Sequence, residues 1–322
     1  MNASARPRFP AVVIGGSAGA LDPLRTFVSS IPSEFGAAIF VVNHVPPDSV
    51  SALPHVLSRS GVLFATHAID GAPIAPGRII VAPPDRHLIV EDGLMRVGDG
   101  PMENGHRPSI DVLFRSAARS FGAGVCAIVL SGTLDDGAAG IVAIHEAGGM
   151  TFVQDPDDAQ FPDMPLNAIA TGTVEGAYPA ERLFEAVRKW LAHAPSASEP
   201  QKLPPDEREA GSPSVFTCPD CGGTLWELDE GSVLRFRCRT GHAYSAHSMV
   251  AAHEDRLESV LWASLRTLQE RRDLLKRLVR RSKGGGNGAS MRRFERQFRE
   301  VEADMERVEA VLHSLTAAAN PA

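Results

Sequence analysis

The sequence is short of cysteine, tryptophan and tyrosine, with four, three and two of them in 322 residues. So few cysteines cannot staple a chain of this length, and the fold has to rest on an apolar core rather than on a disulfide framework. Long apolar runs are missing too. None approaches the ~18 residues of a membrane-spanning helix, so no membrane insertion is expected. Positive charge is not in excess: the formal net charge is −7, and bulk charge gives no reason to expect a nucleic acid partner. The opening stretch MNASARPRFPAVVIGG has only a short apolar run, broken by glycines, and no evident cleavage site. It does not read as a secretory signal, and a cytoplasmic location is expected.

What is present is the composition of a globular protein, 43% hydrophobic and 22% charged, with length for one large domain and a smaller one. Between residues 10 and 192, short apolar runs alternate with amphipathic stretches. AVVIGG (11–16), AAIFVVNH (37–44), VLFAT (62–66), RIIVAP (78–83), GVCAIVLSG (124–132), MTFVQD (150–155) and AIATGTV (168–174) read as strands. Most are apolar throughout, the pattern of strands buried on both faces. LDPLRTFVSSI, SIDVLFRSAARSF and AAGIVAIHEAG carry helical spacing between them. The alternation predicts an α/β domain over 1–192, a doubly wound, mostly parallel sheet with helices on both faces. RIIVAPPDRHLIVEDGLMRVG predicts an antiparallel hairpin at one edge, turning at EDG. Cys126, in GVCAIVL, reads as a small core residue.

Residues 193–214 are rich in Pro, Ser and charge, the composition of a linker. A second module is expected over 215–247. There Cys218 and Cys221 are separated by two residues, Cys238 follows after sixteen more, and His242 comes four positions later. TLWELDEGSVLRFR between the pairs reads as two strands around a turn. Two tight ligand pairs joined by a hairpin form the layout of a zinc ribbon, so Cys218, Cys221, Cys238 and His242 are expected to hold one structural zinc. His247 and His253 are rival fourth ligands outside the tight spacing. Over 248–322, Leu261, Leu265, Leu268, Leu275 and Val279 keep helical spacing, as do Phe294, Phe298, Val301, Met305, Val308, Leu312 and Leu315 after SKGGGNGAS. An antiparallel helical hairpin follows, or a helical homodimer interface. Residues 266–299 carry twelve Lys/Arg against three Asp/Glu, which reads as a solvated helical face or as a surface for acidic partners.

The chemistry of the first domain begins at GGSAGA. Counted from Gly15, the glycine positions of a dinucleotide fingerprint read Gly, Ser, Ala, and no Gly-Lys-Ser/Thr follows for a P-loop. Residues 15–19 do match G-x-S-x-G, the serine elbow of hydrolases, although in α/β-hydrolases the elbow lies mid-chain. His44 ends the second apolar run, and Asp135 and Asp136 follow the run at 124–132. Sites in open parallel sheets form beyond the carboxyl ends of strands, so Ser17, His44 and one of these aspartates can converge. A serine needs a base to take its proton, imidazole suits that role, and a carboxylate fixes the imidazole tautomer. The plainer alternatives are a turn serine, a hydrogen-bonded strand-end histidine and a helix-capping aspartate.

Residues 11 to about 190 resemble the catalytic domain of the bacterial chemotaxis protein-glutamate methylesterases, the CheB family. The stretches that carry the resemblance are VVIGGSAGALDPL, FVVNHVPP, PGRIIVAPPDRHLIV, HRPSIDVLFRSAA, AIVLSGTLDDGAAGIVAIHEAGG and VQDPDDAQFPDMPLNAI, in the family's order. The resemblance implies a Ser-His-Asp triad of Ser17, His44 and Asp136, the aspartate that directly precedes Gly137. It also implies hydrolysis of glutamate γ-methyl esters on a methylated chemoreceptor or receptor-like helical protein, without a catalytic cofactor. Glutamine deamidation at the same centre is a related expectation, and the loop Gly132 to Leu134 is the expected oxyanion donor. His106, Arg107 and Asp111 are expected to cap and anchor a helix near the site, and Met164 and Pro165 to shape its rim. His55, His67, His87 and His145 are expected to be structural.

Two features depart from the family pattern. TGMG, usual before the aspartate, is SGTL here (131–134), which puts Thr133 where methionine is common. The resembling stretch also opens within ten residues of Met1, so the phosphorylated receiver domain of typical members is expected to be absent. The SGTL loop, together with the C-terminal ribbon and helices that typical members lack, supports an alternative reading, a catalytically weak signalling scaffold that binds helical receptors.

Overall fold

Alternation along the first strand, β1 (Ala11–Gly16), sets the architecture. Ala11 and Val13 enter one buried apolar cluster and Val12 and Ile14 another, on opposite faces of the sheet. The structure is a computed structural model that describes residues 9–195, 211–230, 233–284 and 288–319. Most of the expected linker, 196–210, lies outside the described residues. So do 285–287 of the SKGGGNGAS stretch.

After β1 come β2 (Ala38–Asn43), β3 (Ala65–His67), β4 (Ile79–Val81), the hairpin β5 (His87–Glu91) and β6 (Leu94–Gly98), and then β7 (Val125–Val129), β8 (Met150–Gln154) and β9 (Gly176–Tyr178). Seven of them form one parallel sheet in the order β3-β4-β2-β1-β7-β8-β9. The helices α1 (Leu21–Ser29), α2 (Leu53–Ser60) and α6 (Ala180–Leu191) cover one face. The other carries α3 (Ile110–Phe121), α4 (Ala138–Glu146) and α5 (Asp163–Ala170). This is the expected three-layer, doubly wound sheet. The hairpin forms as a two-stranded sheet of its own, turning at Asp92 and Gly93, both left-handed. It lies on α3, where Ser116 Oγ accepts the Val90 N–H (3.1 Å) and Ser120 Oγ donates to the Val90 carbonyl (2.8 Å). The run before it, Ile79–Val81, is an inner strand of the main sheet.

One expected strand is not a strand. AIATGTV (168–174) holds the last turn of α5 and the turn after it, and the strand in this region is β9. Met164, Pro165 and Ala168 bury one helical face, so the apolar residues follow a period near 3.6 rather than a continuous strand. Gly172, at φ +76°, then turns the chain out of the helix.

The expected ribbon forms and is larger than two strands. An antiparallel sheet runs β10 (Ser212–Thr217), β11 (Thr224–Glu230), β12 (Val233–Cys238) and β13 (Ala243–Ser245), beginning three residues before Val215. These strands pack with the α/β layers in one compact unit that extends to Met249. The second unit, Val250–Ala322, is helical. The helices α7 (Ala246–Gly284) and α8 (Gly288–Ala319) bury Leu265, Leu275, Val301, Met305 and Leu312 in one core, flanked by Leu261, Leu268, Phe294, Phe298 and Val308. These are the two stripes read from the sequence, apart from Val279 and Leu315, which are not in this core. Among the described residues, no helix is long and apolar enough to cross a membrane.

Candidate active site and metal centre

The strands β2, β1 and β7 are neighbours in the middle of the sheet. Their carboxyl ends deliver His44, Ser17 and the loop to Asp136. The chain winds from β1 towards β2 on one side and resumes at β7 on the other, so β1 borders the topological switch point, where a doubly wound sheet opens a crevice. Ser17 sits in a tight turn, and its N–H donates to the Ser131 carbonyl (3.0 Å) while Ser131 Oγ donates to the Ala18 carbonyl (2.8 Å). Gly19 makes this turn possible. Its φ is +74°, and a Cβ there would meet Ser131 Oγ at 2.6 Å. Ser131 is itself held by Gln154, whose Oε1 accepts its N–H at 3.0 Å.

His44 Nε2 lies 2.9 Å from Asp136 Oδ2, with both side chains buried. An ionised carboxylate only accepts, so Nε2 carries the proton and a neutral His44 keeps Nδ1 as its acceptor. Nδ1 is buried and has no hydrogen-bond partner. Ser17 Oγ likewise bonds to none of the described residues, and no contact between the two atoms closes in this structure. Such bonds often tighten only with substrate in place.

Asp136 is held by five donors. Oδ2 accepts from His44 and from the Ile110 N–H (2.7 Å). Oδ1 accepts from Asn104 Nδ2 (3.0 Å), Ser109 Oγ (3.0 Å) and the Asp111 N–H (3.3 Å). Two of these donors open α3, so the carboxylate sits at the positive end of a helix dipole. Asp136 thus caps α3, not the helix α4 that follows it in sequence. Burial alone would raise its pKa, but the hydrogen bond and charge of His44, then His106 and Asn104, outweigh burial. Asp136 is held well below the usual carboxylate range.

Asp111 takes the opposite course. Burial first, and the Asp136 charge second, raise its pKa. Its Oδ1 accepts the N–H groups of Gly137 (3.1 Å) and Gly140 (2.7 Å), so it anchors the start of α4, as an anchoring residue should. Arg107 ties loops, pairing with Asp85 and donating to the Asp99 and Gly100 carbonyls. His106 does something else. Its ring stacks on His44, with centroids 3.7 Å apart and planes 16° from parallel. Burial, and then the neighbouring His44, push its pKa down to about 4, which keeps it neutral at pH 7.

The expected oxyanion loop is only partly available. The Gly132 N–H donates to the Phe161 carbonyl (2.9 Å). The Thr133 and Leu134 amides have no partner among the described residues, and Leu134 sits at φ +62°. Gly132 packs directly on the Ser17 turn, since a Cβ there would meet Ser17 Cβ at 2.8 Å and collide with Met164 Sδ. Met164 is buried beneath this loop rather than at a rim. Sequence reasoning missed Asn104, Ser109, Ser131 and Gln154. For Ser131 and Gln154 a polar residue closing an apolar run is the one available signal, and it does not say which partner the residue meets, while Asn104 and Ser109 lie in a polar loop without even that.

The family profile described as CheB methylesterase matches residues 12–187, more than half of the chain. The chain belongs to the CheB methylesterase family. Among curated relatives, a protein-glutamate methylesterase/protein-glutamine glutaminase 2 of Rhizobium johnstonii is 36% identical over 180 residues, 55% of this chain and 49% of that protein. A protein-glutamate methylesterase/protein-glutamine glutaminase 1 of Anaeromyxobacter dehalogenans is 39% identical over 182 residues, 56% of this chain and 52% of that protein. The chain therefore spans about half the length of the curated relatives it matches. Among solved structures, the Thermotoga maritima CheB methylesterase catalytic domain superposes with a TM-score of 0.54 at 28% identity, covering 56% of this chain and 98% of that domain.

A second cluster lies outside the CheB region, in the ribbon. The ligand atoms of Cys218, Cys221, Cys238 and His242 all lie within 4.8 Å of one another. His247 and His253 are not in this group, and His247 instead faces Asp135 at 3.4 Å. Two turns shape the cluster. The Gly222 N–H donates to the Cys218 carbonyl and the Gly241 N–H to the Cys238 carbonyl, with both glycines left-handed. Tetrahedral zinc with ordinary Zn–S and Zn–N bonds would set sulfurs about 3.8 Å apart and sulfur and nitrogen about 3.6 Å apart. Here Cys221 Sγ and Cys238 Sγ are 3.7 Å apart, and His242 Nδ1 lies 3.6 Å from Cys218 Sγ and 3.5 Å from Cys238 Sγ. The other ring nitrogen of His242 faces Asp220 at 3.8 Å, the usual carboxylate support for a metal-binding histidine.

Proposed function

We propose that this chain is a protein-glutamate methylesterase acting on γ-methyl esters of a chemoreceptor-type helical protein. Ser17 Oγ attacks the ester carbonyl carbon as its proton passes to His44 Nδ1. The Thr133 and Leu134 amides are the candidate donors to the oxyanion. As the tetrahedral intermediate collapses, the alkoxy C–O bond breaks, His44 returns the proton and methanol leaves an acyl-Ser17 ester. Water, deprotonated by His44, then attacks this ester and releases the glutamate carboxylate and Ser17. With glutamine in place of the ester, ammonia leaves in the first step, which is deamidation. Asp136 stays ionised and stabilises the imidazolium. The observation that carries this reading is the His44–Asp136 contact, which leaves Nδ1 of a fixed imidazole free at the switch point beside Ser17.

The test is methanol release from methylated receptor. Ser17→Ala should lower it by ~10⁴-fold or more, and a fluorophosphonate should label Ser17 in the wild type. Equal methanol release from the mutant would end the triad assignment. A second reading, a receptor-binding scaffold, is favoured by the Gly132 amide already bonded to Phe161. Folded wild-type protein that takes no fluorophosphonate label would decide for it.

For the ribbon, the edge lengths of the cluster support a structural zinc held by Cys218, Cys221, Cys238 and His242, with no part in the ester chemistry. Metal analysis of natively purified, reduced protein should give one zinc per chain. Protein without zinc would refute the assignment.

A further inference from the structure

The ribbon meets the α/β layers at the dipeptide Glu103-Asn104, and the first turn of α7, which follows β13 directly, meets them at Asp135-Asp136. The Asn104 N–H donates to the Ala243 carbonyl (2.7 Å) and the Ala243 N–H to the Met102 carbonyl (3.3 Å), so β13 pairs with the loop before α3. Glu103 is buried between Arg115 of α3 and Arg235 of β12, which is 1% exposed. Ser248 Oγ donates to Asp135 Oδ1 at 2.6 Å. An arginine buried this completely would be strongly destabilising without its carboxylate, so the contact is part of the fold rather than a passing encounter.

Each dipeptide faces two ways. Glu103 meets β12 of the ribbon and Asp135 the first turn of α7, while Asn104 reaches Asp136. Asn104, 4% exposed, adopts φ +53°, a left-handed conformation that asparagine tolerates. Its Nδ2 donates to Asp136 Oδ1 (3.0 Å) and to Asp111 Oδ2 (2.9 Å), bridging the two carboxyl groups. Its Oδ1 accepts the N–H of Ser245 in β13 (2.9 Å). That last bond sets the orientation of the amide. Flipped, Asn104 would turn its oxygen towards two carboxyl groups and its NH2 towards an N–H donor.

We propose that Asn104 is a positioning residue for the esterase and that the ribbon sets it: the Ser245 N–H fixes the Asn104 amide, which holds Asp136 in register with His44. This rests on the methylesterase reading above. It makes the ribbon a structural partner of the reaction rather than an appendage to it. Asn104 bonds to neither His44 nor Ser17 among the described residues, and its effect on the site passes through Asp136.

The experiment compares wild type, Asn104→Ala and Ser245→Pro in the full, metal-loaded chain. Kinetics are read as kcat and KM separately, and the His44 ring is followed by the NMR signal of its Nε2–H proton to Asp136. In β13, Ser245 directs its N–H to Asn104, so proline removes that donor and leaves the Asn104 side chain in place. Asn104→Ala should lower kcat by about 10²-fold with KM unchanged, and should displace the His44 signal. Ser245→Pro should displace it in the same direction. If Asn104→Ala does not fold, Ser245→Pro carries the test. Wild-type kcat and an unmoved His44 signal in a folded variant that keeps its zinc would overturn the proposal. If the wild type shows no Ser17-dependent turnover, the methylesterase reading fails by itself. The His44 signal then still decides the positioning claim, upheld if displaced and overturned if not.

Discussion

The two clusters of this protein are assembled by opposite routes. The ribbon's candidate ligands come from two turns between residues 218 and 242, each turn made by a left-handed glycine and its own short hydrogen bonds. The candidate active site draws Ser17, His44 and Asp136 from three separate strand ends, which meet only because β2, β1 and β7 lie side by side. A locally built site needs little more than its hairpin. A site built at long range needs the whole sheet, and it then depends on supporting residues from several elements, as the five donors to Asp136 show. The largest effect that separates the two is expected from Asp136→Asn. An amide in that position offers its NH2 to His44 Nε2, which moves the imidazole proton to Nδ1, the wrong nitrogen for taking a proton from Ser17. A loss of about 10⁴ in kcat is expected, with the ribbon's metal content unchanged. Methanol-release kinetics and metal analysis on one preparation check both halves, and loss of metal would show that the clusters are not independent in that direction.

This contrast also explains what could be read from the amino acids. Cys218, Cys221, Cys238 and His242 announced themselves by spacing, because tight ligand pairs impose it. The sheet was readable because strands buried on both faces are apolar throughout, and Ser17, His44 and the pair Asp135-Asp136 could be placed at strand ends from that alone, the choice of Asp136 coming from the family resemblance. The run at 168–174 misled because a short apolar stretch carries no period of its own, and the burial of Met164 and Ala168 on one face decided for helix. Asn104 and Ser109 left no trace in a polar loop, and Ser131 showed only as a polar residue closing an apolar run, since their partners lie on other elements. His106 was readable as a residue near the site but not as a ring stacked on His44, because stacking depends on where two chains cross.

A smaller effect bears on the same contrast through pH. The fold holds His106 at about 4 instead of the usual 6.5, so it favours the neutral ring. That contribution is complete above pH 6.5 and is lost as the pH falls from 6.5 towards 4, on the order of 3 kcal/mol in all. Asp136, held lower still, loses its contribution only in stronger acid. Asp111, held high, works in the opposite direction and favours the folded state less as pH rises. His106→Phe keeps a ring against His44 without a titrating group. Melting temperatures from pH 7 to pH 4.5 should therefore fall less steeply in the variant than in the wild type. Parallel curves would mean that the acid sensitivity lies elsewhere, with the ribbon's own ligands the first place to look.

The smallest effect concerns the cysteine that the ribbon does not use. Cys126 lies in β7, fully buried, with Val12 and Met150 as its register partners on the two neighbouring strands. Burial pushes its thiol pKa far up, so it packs as a small apolar residue and has no thiolate to offer a reagent or a metal. Cys221, in contrast, is exposed. Cys126→Ala should cost about 1 kcal/mol of unfolding free energy through the lost sulfur contacts, measured by urea denaturation. Zinc content and kcat should not change. In folded, metal-stripped protein, iodoacetamide should modify Cys221 and leave Cys126 untouched until the sheet unfolds, as peptide mass mapping would show. Modification of Cys126 in the folded chain would mean that β7 opens on the labelling timescale. The sheet that carries the candidate site would then be no more rigid than the ribbon, and the contrast between a locally and a remotely built site would lose its physical basis.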